Sequence, residues 1–416
     1  MTRAHPVARP QRVETIVVGG GLVGLTLAAA LAQAGMDVLV VDREPPATAL
    51  APAFDGRASA IAYGSRRVLE GIGLWPLVAD DAAPIAGIRV VDAGSPLFLH
   101  YDHRAVGDQP LGHIVENRVL RHALHRLAAT LPTLRHLAPR QVVSIDRDAN
   151  GATVTLDDGQ AWRGNLLVAA DGRQSAVRAA AGIGVRTHPY PQTAIVTTAV
   201  HEAPHRDVAI EHFLPAGPFA ILPLTPAEGE PHRSSLVWTE RSVAAPGLLA
   251  LDEPAFTAEL AARFGDHWGA VRPSGPRFAY PLALQWADRM VADRLALVGD
   301  AAHVIHPIAG QGLNLGIRDV AALAECLVDA RRLGLDVGQP GPLARYAAWR
   351  RLDTTMLGLV TDGLNRLFSN DVAPLRAARR LGLAAVDRMA PLKRLFMQHA
   401  MGTTGDLPRL ARGQPL

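Results

Sequence analysis

Three short loops in this sequence join glycine to an acid, and each is of a kind that grips part of a long phosphorylated ligand. Gly19, Gly21 and Gly24 occupy the G-x-G-x-x-G positions, with Asp42 some way downstream. Glycines so spaced permit a tight turn, close approach to a pyrophosphate and close packing of helix on strand, and an acid about 20 residues on takes the ribose hydroxyls of an adenosine. The second loop is Asp171-Gly172, with Ser175 close by in a first helical turn. The third is Gly299-Asp300, at the end of the apolar run Leu295 to Val298. An acid at the carboxyl end of a buried strand lies where open α/β sheets bind ligands, and it accepts a hydrogen bond from a sugar-like hydroxyl. Beyond it, Pro307 stiffens the chain, while Gly310 and Gly312 let backbone pass close to a flat ligand. Leu313, Ile317, Val320 and Leu323 then open a helix whose amino end favours negative charge.

These loops need elements to hold them. Val13 to Val18, Leu25 to Ala34 and Asp37 to Val41 read as a β-α-β unit. Asp55 to Tyr63 is expected to open a helix running through Val68 to about Gly71, with Arg57 just before its start and placed to meet a phosphate; the alternative is a solvated surface arginine. Residues 88 to 91 read as a strand, and Glu116 to Leu127 as a helix whose amino end, with Asn117, faces the ligand. From 141 to 171 the alternation and two turn sequences indicate a β-meander returning to the sheet. Between 182 and 286, strands at Ala194 to Val200, Val208 to Leu214, Phe219 to Leu224, Ser234 to Trp238 and Phe278 to Leu284, with one helix near Phe256 to Phe264, describe a mostly antiparallel sheet inserted in the nucleotide domain. The rest is helical: 312 to 332, Leu343 to Phe368, Ala373 to Leu383 and Ala385 to Met401.

Composition narrows the function. The 416 residues are 49% hydrophobic and 19% charged, which places the chain among globular proteins rather than disordered ones. A formal charge of +3, carried by scattered arginines with Lys393 as the only lysine, contains no basic tract of the kind that binds nucleic acid. The single cysteine, Cys326, rules out internal disulfides and argues against a cysteine-ligated metal site, and a reducing cytoplasm is expected. No signal-like segment or membrane-spanning apolar run is present.

The three glycine-acid motifs, in this order and with a sheet inserted between the second and third, resemble those of the single-component (class A) flavin aromatic hydroxylases whose model is para-hydroxybenzoate hydroxylase. Within that group the fit is to the ubiquinone-biosynthesis hydroxylases, the 2-octaprenyl-6-methoxyphenol hydroxylase family. The matching residues are Asp55-x-Arg57-x-x-Ala60, Val115-Glu116-Asn117, Glu211-x-Phe213-x-Pro215-x-Gly217-Pro218-x-Ala220-x-Leu222-Pro223-Leu224, the full Gly299 to Asp319 stretch, Ala400-Met401-Gly402 and Leu407-Pro408. They span about residue 13 to 410.

The resemblance implies an α/β fold: a Rossmann-like FAD-binding domain, an inserted mostly antiparallel β-sheet substrate domain and a helical C-terminus. FAD-binding pieces are expected at 13–75, 111–181 and 291–340, substrate-domain pieces at 76–110 and 182–290, and the helical region at 341–416. It implies FAD with Gly19, Gly21 and Gly24 at the pyrophosphate, Asp42 at the adenosine ribose, Arg57 near the phosphates and Asp300 on the ribityl chain. Pro307 would lie by the reactive edge, and Gly312, Leu313 and Asn314 would present backbone and amide groups to the pyrimidine ring. Asp171 resembles the acid to which contacts with both FAD and NAD(P)H are attributed, and Asn117 is carried over as a further cofactor contact. The implied reaction uses NAD(P)H as a transient co-substrate and O2 to hydroxylate a polyprenylated phenol through a flavin C4a-hydroperoxide. Two alternatives stay open: a same-fold flavin reductase acting on a prenyl lipid, and a non-catalytic flavoprotein in a ubiquinone-biosynthesis complex. His303 and His306 read as structural members of the loop rather than phenol-activating bases, and Tyr63, Trp238 and Tyr280 as core aromatics rather than pocket lining. Arg376, Arg379, Arg380, Arg388, Lys393 and Arg394 alternate with apolar residues in the last helices, a pattern suited to peripheral membrane contact, the alternative being packing on protein with a solvated basic face.

Overall fold

The computed structural model describes residues 9–51, 53–92, 98–265, 268–306, 310–351, 363 and 387–416. The β-branched run near the start forms the strand Gln11–Val18, with Val38–Val41 parallel on one side and Ala161–Ala169 parallel on the other. Leu295–Leu297 adds in parallel beyond Ala161–Ala169, and the antiparallel strands Val142–Asp148 and Gly151–Leu156 hang from the same element. Val38–Val41 and Leu295–Leu297 are buried along their whole length, as strands covered on both faces must be. The helices Leu22–Gln33 and Gln311–Arg332 pack together on one face through Leu25, Ala28, Val320 and Leu323.

The second sheet runs in the order His303–Val304, Val271–Ala287, Val185–His201, Arg233–Arg241, Gly217–Leu224, Val208–Leu214, Gly87–Asp92, Phe98–Asp102. Its pairs are antiparallel except Val208–Leu214 with Gly87–Asp92, where two segments far apart in sequence meet side by side. Alternation gives it two faces. Ile195, Phe219, Leu236 and Trp238 point to the helix Glu253–Phe264, meeting Phe256 and Leu260. The opposite, inner face packs Ala194, Leu282 and Leu284 on Ile305 and Leu315, and Ala209 and Leu224 on Ile85, Met397 and Met401.

A third, three-stranded sheet, Ala58–Ala62, Gly112–Glu116 and Ala83–Ile85, has no counterpart in the sequence reading. Ala58 to Ala62 therefore corrects an expectation: this alanine-rich stretch is a strand, and the helix starts only at Tyr63 and ends at Gly71. Helix propensity amounts to tenths of a kcal/mol per residue and yields to a ladder of backbone hydrogen bonds with Gly112–Glu116. Pro307, most of the two expected helices between 343 and 383, and Arg376, Arg379 and Arg380 lie outside the described residues. The last helix is Ala390–Met401, beginning later than the expected Ala385, with Pro391 in its first turn.

Candidate functional site

The amino ends of two helices are brought side by side by missing side chains. A Cβ on Gly24 would lie 1.9 Å from the Gly19 carbonyl oxygen, and one on Gly19, at φ +108°, would lie 2.3 Å from that of Ala170. Neither position admits any other residue without moving backbone. A Cβ on Gly316 would come within 2.7 Å of Val23, so the helix from Gln311 seats on the helix from Leu22. Gly21, the cap of the first helix, and Gly312, in the first turn of the second, have no atom within 4 Å of a built Cβ; both face open space. Free N–H groups thus stand at two neighbouring helix starts, where an elongated anionic ligand would lie in a groove. Gly310, at φ +62°, turns the chain into the second helix against Ala60.

Acids mark the groove. Asp42 ends its strand, accepting from the Gly20 N–H at 2.6 Å and the Glu44 N–H at 2.9 Å. Asp300 lies in a single 3-10 turn, Gly299–Ala301, with its side chain open to solvent. It is nonetheless ringed by protein: desolvation pushes its carboxyl up against the opposing pull of His303, Arg57 and Arg173. A side chain both accessible and surrounded is one that lines a cleft.

Arg57 has about half of its side chain exposed, 52%, and is held by a network. Asp55, 4% exposed, accepts from Arg57 Nε at 2.9 Å, Arg57 Nη2 at 3.0 Å, Arg121 Nη1 at 3.0 Å, Asn117 Nδ2 at 3.1 Å and Tyr280 Oη at 3.3 Å. Burial pushes the Asp55 carboxyl up, but Arg57 and Asn117 outweigh it and hold it well below the usual range. The guanidinium of Arg57 rests 4.8 Å from the Tyr280 ring centroid and feels the charge of Asp300. Asn117 is buried, gives its amide hydrogen to Asp55 and accepts from Ser59 Oγ at 2.6 Å; it reaches the groove through the Asp55 loop.

The third loop stands on a buried platform absent from the sequence reading. Asp319 accepts from His303 Nε2 at 2.7 Å, Arg350 Nε at 2.7 Å and the Gly299 N–H at 2.9 Å. His303 is structural here, as its place in the loop suggested. Nothing local advertises the pairing of Asp319 with Arg350, which comes from a later helix. Asn314 differs from expectation: its oxygen accepts from the Ala62 N–H at 2.9 Å and its nitrogen donates to the carbonyls of Ala60 at 2.7 Å and Gly310 at 3.2 Å. The amide is thereby committed to tying the helix to the Ala58–Ala62 strand. Asp171 accepts from Ser175 Oγ at 2.5 Å and the Val177 N–H at 3.1 Å, so its carboxylate caps the helix Ala176–Ala180. Trp238, 1% exposed, lies in the core behind the sheet. Tyr280 instead joins the Asp55 network, and Tyr63 packs beside Ala60.

Gly19, Gly21, Gly24 and Asp42 thus gather at the start of the first helix, with Gly312 and Leu313 at the start of the neighbouring one and Asp300 within electrostatic reach of Arg57; Asn117, Asn314 and Asp171 brace this region, along which an elongated ligand would lie. Two helix amino ends and two acids set apart along it match the charge pattern of a dinucleotide: anionic in the middle, hydroxylated on either side.

Comparison with known proteins agrees. Residues 12–348 match the family model described as FAD binding domain. The chain is 58% identical to the ubiquinone hydroxylase UbiL of Rhodospirillum rubrum, over 97% of this chain and 93% of that protein. It is 36% identical to the 3-demethoxyubiquinol 3-hydroxylase of Escherichia coli, over 94% and 99% of the two chains. Among solved structures, p-nitrophenol 4-monooxygenase PnpA of Pseudomonas putida shares the fold with a TM-score of 0.78 at 19% identity, covering 95% of this chain and 100% of that one.

Proposed function

The chain belongs to the FAD-dependent hydroxylases of ubiquinone biosynthesis, and from that membership we propose that it uses NAD(P)H and O2 to hydroxylate a ring carbon of a prenylated phenol. The bound flavin, reduced by NAD(P)H, supplies the oxygen-activating chemistry. What this chain contributes is position, electrostatics and exclusion of water. In this reading Asp42 and Asp300 hold the two polyol ends of FAD, the helix start at Leu22 takes the pyrophosphate, and Arg57 sits beside it. The helix start at Gln311, with Gly312 and Leu313 open, stabilises the negative charge of the reduced ring.

The observation that carries the proposal is the seating of the inner face of the second sheet on this loop, through Ala194, Leu282 and Leu284 against Ile305 and Leu315. An apolar wall beside the ring end of the groove suits an aromatic substrate with an isoprenoid tail and keeps water from the reacting atoms. The protein should purify yellow with non-covalent FAD, and incubation with NAD(P)H, a prenylphenol and labelled molecular oxygen should place one labelled atom in the ring. Label confined to water or peroxide across several prenylphenols would instead identify a flavin reductase or an uncoupled oxidase.

A further inference from the structure

The inner face of the second sheet carries a nearly buried carboxyl with no partner among the described residues. Glu211 lies mid-strand in Val208–Leu214, directly across from Ala220, which pairs in turn with Val237. Residues opposite one another across a sheet point to the same side, so this row faces the nucleotide domain with Ala209 and Phe213, two positions either way along the strand. Both flanks of the row are tied to the cofactor loops. On one side Val237 packs against the cluster containing Ile305 and Leu315, and on the other Ala209 and Leu222 join the cluster containing Ala60 and Tyr63. Glu211 is two strands from Val237, about 10 Å at the usual strand spacing.

Glu211 is 9% exposed, and no described group makes a hydrogen bond or ion pair with it. Its immediate neighbours on this face are small: Ala220 across, Ala209 behind. Beside it on the parallel strand is Val90. Burial alone displaces its titration upward, with no neighbouring charge contributing. An unpaired acid in such a place is a standing cost to the fold that any aliphatic residue would remove. A ligand hydroxyl arriving in the space left by the two alanines would satisfy it.

We propose that Glu211 receives the ring hydroxyl of the phenol and so sets which ring carbon faces the cofactor; this rests on the hydroxylase reading above. The carboxyl accepts the phenol O–H, while Phe213 and the aliphatic row on either side hold the ring and the start of its tail. Substrates without a free hydroxyl lose this contact and gain nothing elsewhere on the row.

The test uses FAD-loaded wild-type protein with Glu211→Gln and Glu211→Leu. Each is titrated with a short-chain prenylphenol and with its methyl ether, reading the perturbation of the flavin absorbance. Wild type should prefer the phenol by about tenfold or more, as a hydrogen bond to a charged or buried group warrants. Glu211→Leu should abolish that preference and Glu211→Gln retain part of it. FAD content should be unchanged in both, which separates a lost contact from a lost fold. If wild type binds and hydroxylates the phenol while both variants keep its preference over the ether, the role of Glu211 is overturned alone. If the wild-type flavin responds to neither compound, the inference falls together with the hydroxylase reading.

Discussion

Burial lifts the Glu211 carboxyl from 4.5 to about 7. The same burial acts on Asp55 and Asp319, yet there Arg57, and His303 with Arg350, outweigh it and hold the acids below their usual range. The difference is a partner, and it has a consequence for stability. Among the described residues, Asp92 and Tyr101 on the neighbouring strands, Arg233 and Tyr280 further along the same face, and Tyr63 and Lys393 on the helices packed nearby are titratable groups on this side of the sheet; Arg233 is bound to Glu116, Tyr280 to Asp55 and Lys393 to Asp387, and no described group pairs with Glu211. Because its folded pKa lies above the unfolded one, the unfolded chain releases the proton first as pH rises. Stability is therefore complete below 4.5 and declines until the folded carboxyl ionises near 7, a loss of roughly 3 kcal/mol. Glu211→Leu should remove that slope. Thermal midpoints of FAD-loaded wild type and variant should lie closest near pH 4.5 and separate toward pH 8, the variant higher. A gap that does not change with pH would show that Glu211 is not buried unpaired.

At the scale of elements, the stretch from Gly299 to His303 is positioned from behind by charges brought in from elsewhere. Asp319 on one helix joins Arg350 on another to His303 and the Gly299 N–H, so the cofactor loop moves only if a buried ion pair breaks. Asp319→Asn keeps the shape but leaves a buried guanidinium without its carboxylate, at a cost of about 3 to 5 kcal/mol. It should lower the thermal midpoint and leave less FAD on the protein after gel filtration; wild-type values for both would remove Asp319 from this role. Such pairing marks the limit of what the sequence makes legible. Gly19, Gly21, Gly24 and Asp42 are readable because the β-α-β unit is local and two of its glycines, Gly19 and Gly24, leave no room for a side chain. The strands Val208–Leu214 and Gly87–Asp92 are each readable by their composition, though not their parallel pairing, because pairing between distant segments leaves no local trace. For the same reason Ala58–Ala62 reads as a helix, and the amide of Asn314 reads as a ligand contact although it is spent on that strand's backbone.

At the scale of the whole molecule, the question is how a protein with no described helix long and apolar enough to cross a membrane would reach the prenylated substrate proposed for it. The last helix offers an answer. On Ala390–Met401, Met397 and Met401 bury against Ile85 and Ile114, while Leu395 and Phe396 remain 54% and 45% exposed. Met389, just before it, is 53% exposed, and Arg388 and Arg394 flank these residues. The segment lies beside the sheet's edge strand, where the His100 N–H donates to Asp387 and Phe98 is 48% exposed. Apolar side chains standing out of a basic surface suit shallow contact with an anionic bilayer. With about half of each side chain left to bury, Leu395 and Phe396 together offer about 2 kcal/mol, or about thirty-fold in partitioning. Wild-type protein should therefore float with phosphatidylglycerol vesicles, less with phosphatidylcholine vesicles and less at high salt. The double variant Leu395→Ser, Phe396→Ser should lose most of that recovery while keeping its FAD and its thermal midpoint. Equal recovery of wild type and variant with both lipids would mean that this face is a solvated surface or meets another protein, and that the substrate's tail is delivered by some other route.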